Sequence, residues 1–253
     1  MFHLAQQIAR RFGLSVMRNS TFDGLVRERD ALAHQSAVIS AIDPRLMHGL
    51  TQTRSQLKQE IFVLAQTAYK KGGFFVEFGA TDGVEGSNTL LLEREYGWTG
   101  ILAEPARVWH NDLKRNRSVF IDHSCVFSTT GEQIVFREVA GDAQLSTALA
   151  FANSDHHSAS RGGIDYSVPT ITLHDLLVRH HAPRTIDYLS IDTEGSEYEI
   201  LKAFDFSAFD IQIITCEHNY SAAREKVHAL LSANRYRRVH ESVSGFDDWY
   251  LRD

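Results

Sequence analysis

Carboxylates recur at the ends of apolar runs in this chain, with glycines beside them. Glu77-Phe78-Gly79-Ala80-Thr81-Asp82-Gly83 closes a run that starts at Phe74, and Glu104-Pro105 closes Ile101-Leu102-Ala103. Asp192-Thr193-Glu194-Gly195-Ser196-Glu197 follows Ile186–Ile191, and Thr215-Cys216-Glu217-His218-Asn219 ends a run from Ile211. In a chain that alternates strand and helix, such positions gather at the carboxyl edge of a parallel sheet, where ligands sit near the topological switch point. Glycines at 79 and 83 allow a tight turn and a close backbone approach that a Cβ would block. Two phosphate grips are excluded: Thr81 stands two after Gly79, so there is no G-x-G-x-x-G, and G-x-x-x-x-G-K-[ST] is absent.

A carboxylate roughly 20 to 25 residues beyond a glycine turn is placed to accept hydrogen bonds from both hydroxyls of a ribose. Glu104 stands there. A glycine turn without a phosphate grip, followed by a ribose acid, points to S-adenosylmethionine, an adenosine with an amino-acid tail. Glu77 is expected either to orient the glycine loop or to meet the ammonium group of that tail.

The stretches GATDGVEGSNTLLLEREYGWTGILAEP and IDYLSIDTEGSEYEIL together resemble the FkbM family of S-adenosylmethionine-dependent methyltransferases, over roughly residues 73 to 252. Ser-Asn-Thr after the turn, Trp-Thr-Gly before the ribose acid, the Asn116-Arg117 pair and Asp-x-Glu-Gly-x-Glu carry the resemblance. It implies a Rossmann-like seven-strand methyltransferase fold and O-methylation of a sugar, glycan or secondary-metabolite hydroxyl. It assigns Gly79, Ala80 and Gly83 to the methionine end of the cofactor, with Thr81 and Asp82 completing the loop and Asn88 and Thr89 nearby. It assigns Glu104, followed by Pro105, to the ribose, and Cys125 and Val126 to the side of the adenine. Which of Asp122, His123, Ser124 and Cys125 meets the adenine edge stays open.

Asp192 is expected at the same edge as the cofactor loop, touching both cofactor and acceptor. An alcohol is a poor nucleophile at neutral pH and needs a general base or a metal ion. Asp192, Glu194 and His218 are the candidate catalytic groups, His218 by its intrinsic pKa. Asp192, Glu217 and His218, or Asn219 in place of His218, are the candidate ligands of Mg2+ or another divalent cation. Helix capping by Ser196 or Thr193 with Glu197 is the plainer reading of that acidic run. His156-His157 and His180-His181 read as solvated loop residues.

The positioning elements follow from periodicity. Residues 1–70 read as a helical extension, broken at Asp43-Pro44, and residues 71–253 as the methyltransferase domain. From Gly73, apolar runs alternate with helical segments, which predicts a mostly parallel sheet covered on both faces. Val119–Phe127 is expected as a single strand, Gly131–Val139 as an antiparallel arm, and Ala140–Val168 as a loop over the site. Tyr236–His240 and Trp249–Leu251 suit a closing antiparallel hairpin.

A net charge of -6 argues against nonspecific nucleic-acid binding. No apolar run is long enough for a membrane span. Two cysteines, Cys125 and Cys216, are too few for a disulfide framework and suit a reducing cytoplasm. The first quarter is expected to form a dimer surface, a lid or a membrane-surface helix. The competing functions are a nucleotide-binding oxidoreductase, which lacks its phosphate grip here, and a noncatalytic S-adenosylmethionine-binding module.

Overall fold

The computed structural model describes residues 52–153 and 160–253, with Ala33 and Ala37 as isolated helical positions. The helices expected before residue 52, the Asp43-Pro44 break, the dimer surface expected of that segment, and His156-His157 lie outside the described residues.

The helices are α1 (Gln59–Gln66), α2 (Leu90–Tyr96), α3 (His110–Asn116), α4 (Leu173–Arg179), α5 (Glu197–Lys202) and α6 (Arg224–Ala233). The strands are β1 (Phe74–Phe78), β2 (Thr99–Ala103), β3 (Phe120–Asp122), β4 (Cys125–Val126), β5 (Gln133–Val139), β6 (Thr147–Ala148), β7 (Gly163–Ile171), β8 (Thr185–Ile191), β9 (Asp210–Glu217), β10 (Tyr236–Val239) and β11 (Asp247–Arg252).

Every residue of β1 is buried, because a central parallel strand is covered on both faces. Its side chains alternate: Phe74, Val76 and Phe78 join the core beneath α4, α5 and α6, while Phe75 joins the core beneath α1, α2 and α3. The seven-stranded sheet has the order β10-β11-β9-β8-β1-β2-β3. Neighbours from β9 to β3 pair in parallel, and β11 runs antiparallel to both β9 and β10. Strand order reverses between β1 and β8, and that is where a doubly wound sheet opens a crevice at its carboxyl edge. The Rossmann-like seven-strand sheet with its closing hairpin is the fold expected from the sequence.

Two details differ from the sequence expectation. Val119–Phe127 is not one strand: Asp122 Oδ1 accepts from the Ser124 amide at 2.8 Å, and the resulting turn sends β4 out of the large sheet. Ala140–Val168 is not wholly a loop either. Its end belongs to β7, which pairs antiparallel with β5 from Gly163 opposite Val139 to Pro169 opposite Gln133. β4, β7, β5 and β6 form a separate four-stranded sheet beside the carboxyl edge.

Helix α1 lies before the boundary drawn at residue 70, yet Ile61, Phe62, Val63 and Leu64 pack in the same core as Phe75, Tyr188 and Trp249. The Phe62 ring stacks on Trp249 with centroids 4.8 Å apart and planes 20° apart. Phe62→Ala should therefore lower unfolding free energy by about 3–5 kcal/mol, the range for truncating a buried aromatic. Denaturant titration measures this, and a loss under about 1 kcal/mol would place α1 outside the cooperative unit.

Candidate functional site

A cavity of about 450 Å³ opens where β1, β2, β8 and β9 end. That volume lies in the range of small-molecule and cofactor sites. Phe78, Ala103, Cys125 and Val126 supply apolar wall, the turn Asp142–Ser146 after β5 covers one side, and Gln56 and Gln59 reach in from the start of α1.

The first wall is the turn after β1. Gly79 has φ 69°, and a Cβ there would come within 2.1 Å of the Asp192 carbonyl oxygen, so only glycine lets β1 and β8 end in contact. Gly83 serves a different purpose. Its Cβ would strike Arg117 Cγ at 2.6 Å and Leu113 Cδ1 at 2.7 Å, so this glycine admits α3 and its following arginine, and it does not line the cavity.

Behind the turn lies a charged network that fixes its shape. Glu77 accepts from the Asn88 amide at 2.6 Å, from Ser87 Oγ at 3.2 Å and from Thr89 Oγ1 at 2.5 Å. Arg117, fully buried, bonds Glu93 at 2.5 Å, Thr89 Oγ1 at 2.8 Å and the Gly83 carbonyl at 3.2 Å, and lies 3.6 Å from Glu77. Asn116 Nδ2 donates to the Asp82 carbonyl at 2.8 Å, and Asp82 Oδ1 accepts from the amides of Val84 and Glu85. Of the two roles open to Glu77, orienting the loop is the one its contacts serve. Glu77, Ala80, Asp82, Gly83 and Thr89 form the loop and its support, whereas Gly79, Thr81 and Asn88 face the cavity.

Glu104 stands at the end of β2 on the cavity wall. It accepts from the Thr81 amide at 2.8 Å and the Ala106 amide at 2.7 Å, which ties the ribose candidate to the glycine turn. Burial pushes its carboxyl up to about 7 against the pull of those two amides. Pro105 joins it on the wall. Asp122 is turned away from the cavity by Arg179 and His180, each 2.9 Å from its Oδ2, so of the residues left open for the adenine edge only Cys125, followed by Val126, lines the space. His180 is thereby a partner of Asp122, not a solvated loop residue.

The opposite wall carries the acids. Oxygen atoms of Asp192, Glu194 and Glu217 lie within 4.8 Å of one another. His218, expected beside Asp192 and Glu217, is not among them. Successive side chains alternate at a strand end, so with Glu217 directed into the cavity, His218 is directed away. Its Nδ1 accepts from the Tyr220 amide at 3.0 Å and its Nε2 lies 3.8 Å from Asp248. Glu197 Oε1 accepts from the amides of Thr193 and Gly195 and from Thr193 Oγ1, so it braces the loop before α5, whose first turn has no side-chain cap from Ser196.

Two groups here, Arg161 and Asp247, were missed by sequence reasoning, and Asn219 was placed at this strand end without its partner. Arg161, buried, forms an ion pair with Glu194. Asn219 Nδ2 donates to Glu217 Oε2 at 2.7 Å. Asp247, first residue of β11, sits directly across from Glu217 and accepts from Gln59 Nε2 at 2.8 Å. Burial raises the carboxyls of Asp192 and Asp247 to about 7, with the charge of Asp247 adding to the effect on Asp192; it raises Glu217 well above its usual range, with Asp192 adding to it.

Thr81 (φ 47°), Glu194 (φ 59°), Asn219 (φ 42°) and Tyr220 (φ 54°) hold left-handed backbone without being glycine, and all four line the cavity. Such conformations cost of order 1–3 kcal/mol each and mark functional edges. The Asn88 side chain adds a second mark. It donates through Nδ2 to Ser190 Oγ at 2.8 Å, while its buried Oδ1 has no partner.

The methyltransferase FkbM domain matches residues 77–248. No curated protein matches. Among solved structures, the chain is similar to precorrin-6y C5,15-methyltransferase from Geobacter metallireducens GS-15, with 10% identity, TM-score 0.40, and coverage of 76% of this chain and 85% of the other. It is also similar to a sarcosine dimethylglycine methyltransferase, so titled as a candidate, from Galdieria sulphuraria, with 8% identity, TM-score 0.32, and coverage of 73% of this chain and 63% of the other.

A pH dependence follows from the buried acids. A carboxyl that binds its proton more tightly when folded adds stability below its unfolded pKa and loses it as pH rises through the folded value. Glu104 shifts from 4.5 to about 7, so the ligand-free protein should lose thermal stability as pH climbs through that interval. Glu104→Gln should flatten the decline in a melting series; a melting temperature that rises over the same interval in both proteins would contradict the assignment.

Proposed function

The chain belongs to the methyltransferase FkbM domain family and is a methyltransferase, and from that premise we propose that it O-methylates a hydroxyl of a sugar, glycan or secondary metabolite using S-adenosylmethionine. When bound, that cofactor supplies an electrophilic methyl group for in-line displacement. The carrying observation is Glu104, buried at the cavity wall and fastened to the glycine turn through the Thr81 amide. The residues present suit the cofactor: a ribose acid, an apolar slot of Phe78, Cys125 and Val126 for a flat base, and the free Asn88 Oδ1 for a donor on the amino-acid tail.

In this reading Gly79 and Thr81 bring backbone against the cofactor, Asn88 accepts from its ammonium, and Glu104 accepts from the ribose hydroxyls. Asp192, whose carboxyl is held near neutrality, takes the acceptor's hydroxyl proton, and burial with the charge of Asp247 keeps that proton affinity high. Glu194, paired with Arg161, positions the segment between β8 and α5. The Asp142–Ser146 turn and Gln56 exclude water. The free buried cysteines are in keeping with a reducing, cytoplasmic setting, and among the described residues no helix is long and apolar enough to cross a membrane.

A second reading has one observation in its favour. The oxygens of Asp192, Glu194 and Glu217 are hard donors within 4.8 Å of one another, a set that suits Mg2+. The guanidinium of Arg161 already balances Glu194, so base catalysis is placed first.

Glu104→Ala should weaken S-adenosylhomocysteine binding by about 1.5–3 kcal/mol, the scale of losing a charged hydrogen-bond partner. Isothermal calorimetry on the folded variant reads this, and unchanged affinity removes the ribose role. Asp192→Asn should lower turnover by about 10²–10⁴-fold, the worth of a general base, while calorimetric affinity for S-adenosylhomocysteine falls far less. Turnover should survive chelator; loss that Mg2+ restores would establish the second reading instead.

A further inference from the structure

The segment leading into α1 lies ahead of the residues matched to the FkbM domain, yet it supplies one side of the cavity. Two contacts fix its course. Arg54 Nη1 lies 3.9 Å from Glu85 on the loop after β1, and Gln59 Nε2 donates to Asp247 on the acid wall. Glu85 and Asp247 both line the cavity, so the chain from 54 to 59 runs from the glycine-turn side to the acid side. Gln56 stands between these two contacts and lines the same space.

The segment is held in place from inside. Glu60, fully buried, accepts from the amides of Arg54 at 3.0 Å and Ser55 at 3.3 Å and from Ser55 Oγ. Lys58, in left-handed backbone at φ 67°, donates through Nζ to the Ser55 carbonyl at 3.0 Å, and Gln59 Oε1 accepts from the Leu57 amide at 3.1 Å. A buried carboxyl, a buried lysine and a strained residue are each costly, and they persist only where the surround over-determines them. Ser55, Lys58, Gln59 and Glu60 thus spend their side chains on the turn or on Asp247. Gln56 does not: it is exposed, and among the described residues its side-chain amide has no partner in the protein. An exposed amide of that kind is ordinary on a free surface; one that a rigid turn holds against a cavity is placed for a ligand.

We propose that Gln56 selects and orients the acceptor, its amide exchanging hydrogen bonds with a neutral group, a second hydroxyl or an amide, beside the hydroxyl that is methylated. The inference rests on the methyltransferase reading and deepens it by naming a residue ahead of the matched domain that sets acceptor choice. A glutamine amide both donates and accepts, and a hydroxyl or amide answers both halves. A carboxylate or phosphate answers only the donor, and an ammonium only the acceptor. Gln59, one helical turn further on, is tied to Asp247 of the acid wall, which puts Gln56 toward the acceptor and not the nucleoside.

The full chain is given S-adenosylmethionine tritiated in its methyl group together with a methanol extract of the cells that make it; the labelled product identifies an acceptor, which is then purified for kinetics. Gln56→Ala and the near-isosteric Gln56→Glu, which keeps the shape of the wall, should each raise the acceptor KM by about three- to tenfold, the worth of a neutral hydrogen bond. The kcat, the calorimetric affinity for S-adenosylhomocysteine and the melting temperature should change far less. Gln52→Ala, exposed on the same segment and outside the cavity, should leave KM as it is. A KM kept by either Gln56 variant reduces this residue to a spacer and overturns the proposal. So does a loss that falls on S-adenosylhomocysteine affinity instead, or an acceptor with no neutral donor–acceptor group besides its methylated hydroxyl. A protein that binds S-adenosylhomocysteine and labels nothing strikes the methyltransferase reading itself.

Discussion

The ends of β1 and β8 touch: the Gly79 backbone passes so close to the Asp192 carbonyl that no side chain fits between them. The two strands are hydrogen-bonded neighbours whose chains then leave in opposite directions, toward α2 on one side of the sheet and α5 on the other. Divergence from a point of contact is what opens the crevice. The contact also couples the two halves of the cavity, since the glycine turn after β1 and the acid-bearing segment after β8 are packed backbone against backbone. A turn displaced by even one methyl group would shift both.

Holding that turn requires charge inside the protein. Glu77 and Arg117 are buried and Arg117 also pairs with Glu93; the hydrogen bonds of Glu77 and Arg117 on the loop from Gly83 to Thr89 end on the Asn88 amide, the Gly83 carbonyl and the Ser87 and Thr89 hydroxyls. Buried ion pairs contribute little net stability against an apolar substitute, but breaking one leaves an uncompensated charge. Their worth here is geometric, because a network whose members all have partners admits one loop conformation. The strained residues Thr81, Glu194, Asn219 and Tyr220 sit on the cavity side of this scaffold, where a rigid surround can impose their backbone angles.

Much of this was legible in the sequence, and what was not has physical causes. Apolar runs ending in acids located the carboxyl edge, and the alternation of strand and helix gave the large sheet and its closing hairpin. β7 was hidden because one face of Gly163–Ile171 is exposed and polar, so its sequence reads as loop. His218 does not line the cavity although its neighbour Glu217 does, because a one-residue step at a strand end reverses the side chain. Asp247 and Arg161 were invisible because their partners, Glu217 and Glu194, are distant in sequence and meet only through antiparallel pairing and a crossing arm. Of the two glycines singled out, Gly79 faces the cavity and Gly83 does not; Gly83 answers to Arg117, whose pairing with Asn116 signalled its importance without saying what it held.

In the proposed reading the acid-lined wall and the apolar slot divide the cavity between two ligands of different character, a nucleoside at β1 and β2 and an acceptor at β8, β9 and β11. That division stands or falls with where the nucleoside lies. A crystal structure of the protein grown with S-adenosylhomocysteine measures it most directly. The account predicts ribose hydroxyls within hydrogen-bond distance of the Glu104 carboxylate, the base between Phe78 and Val126, and the amino-acid tail over Gly79. A nucleoside seated instead against Glu217 and Asp247, with Glu104 still engaged only by the amides of Thr81 and Ala106, would contradict it.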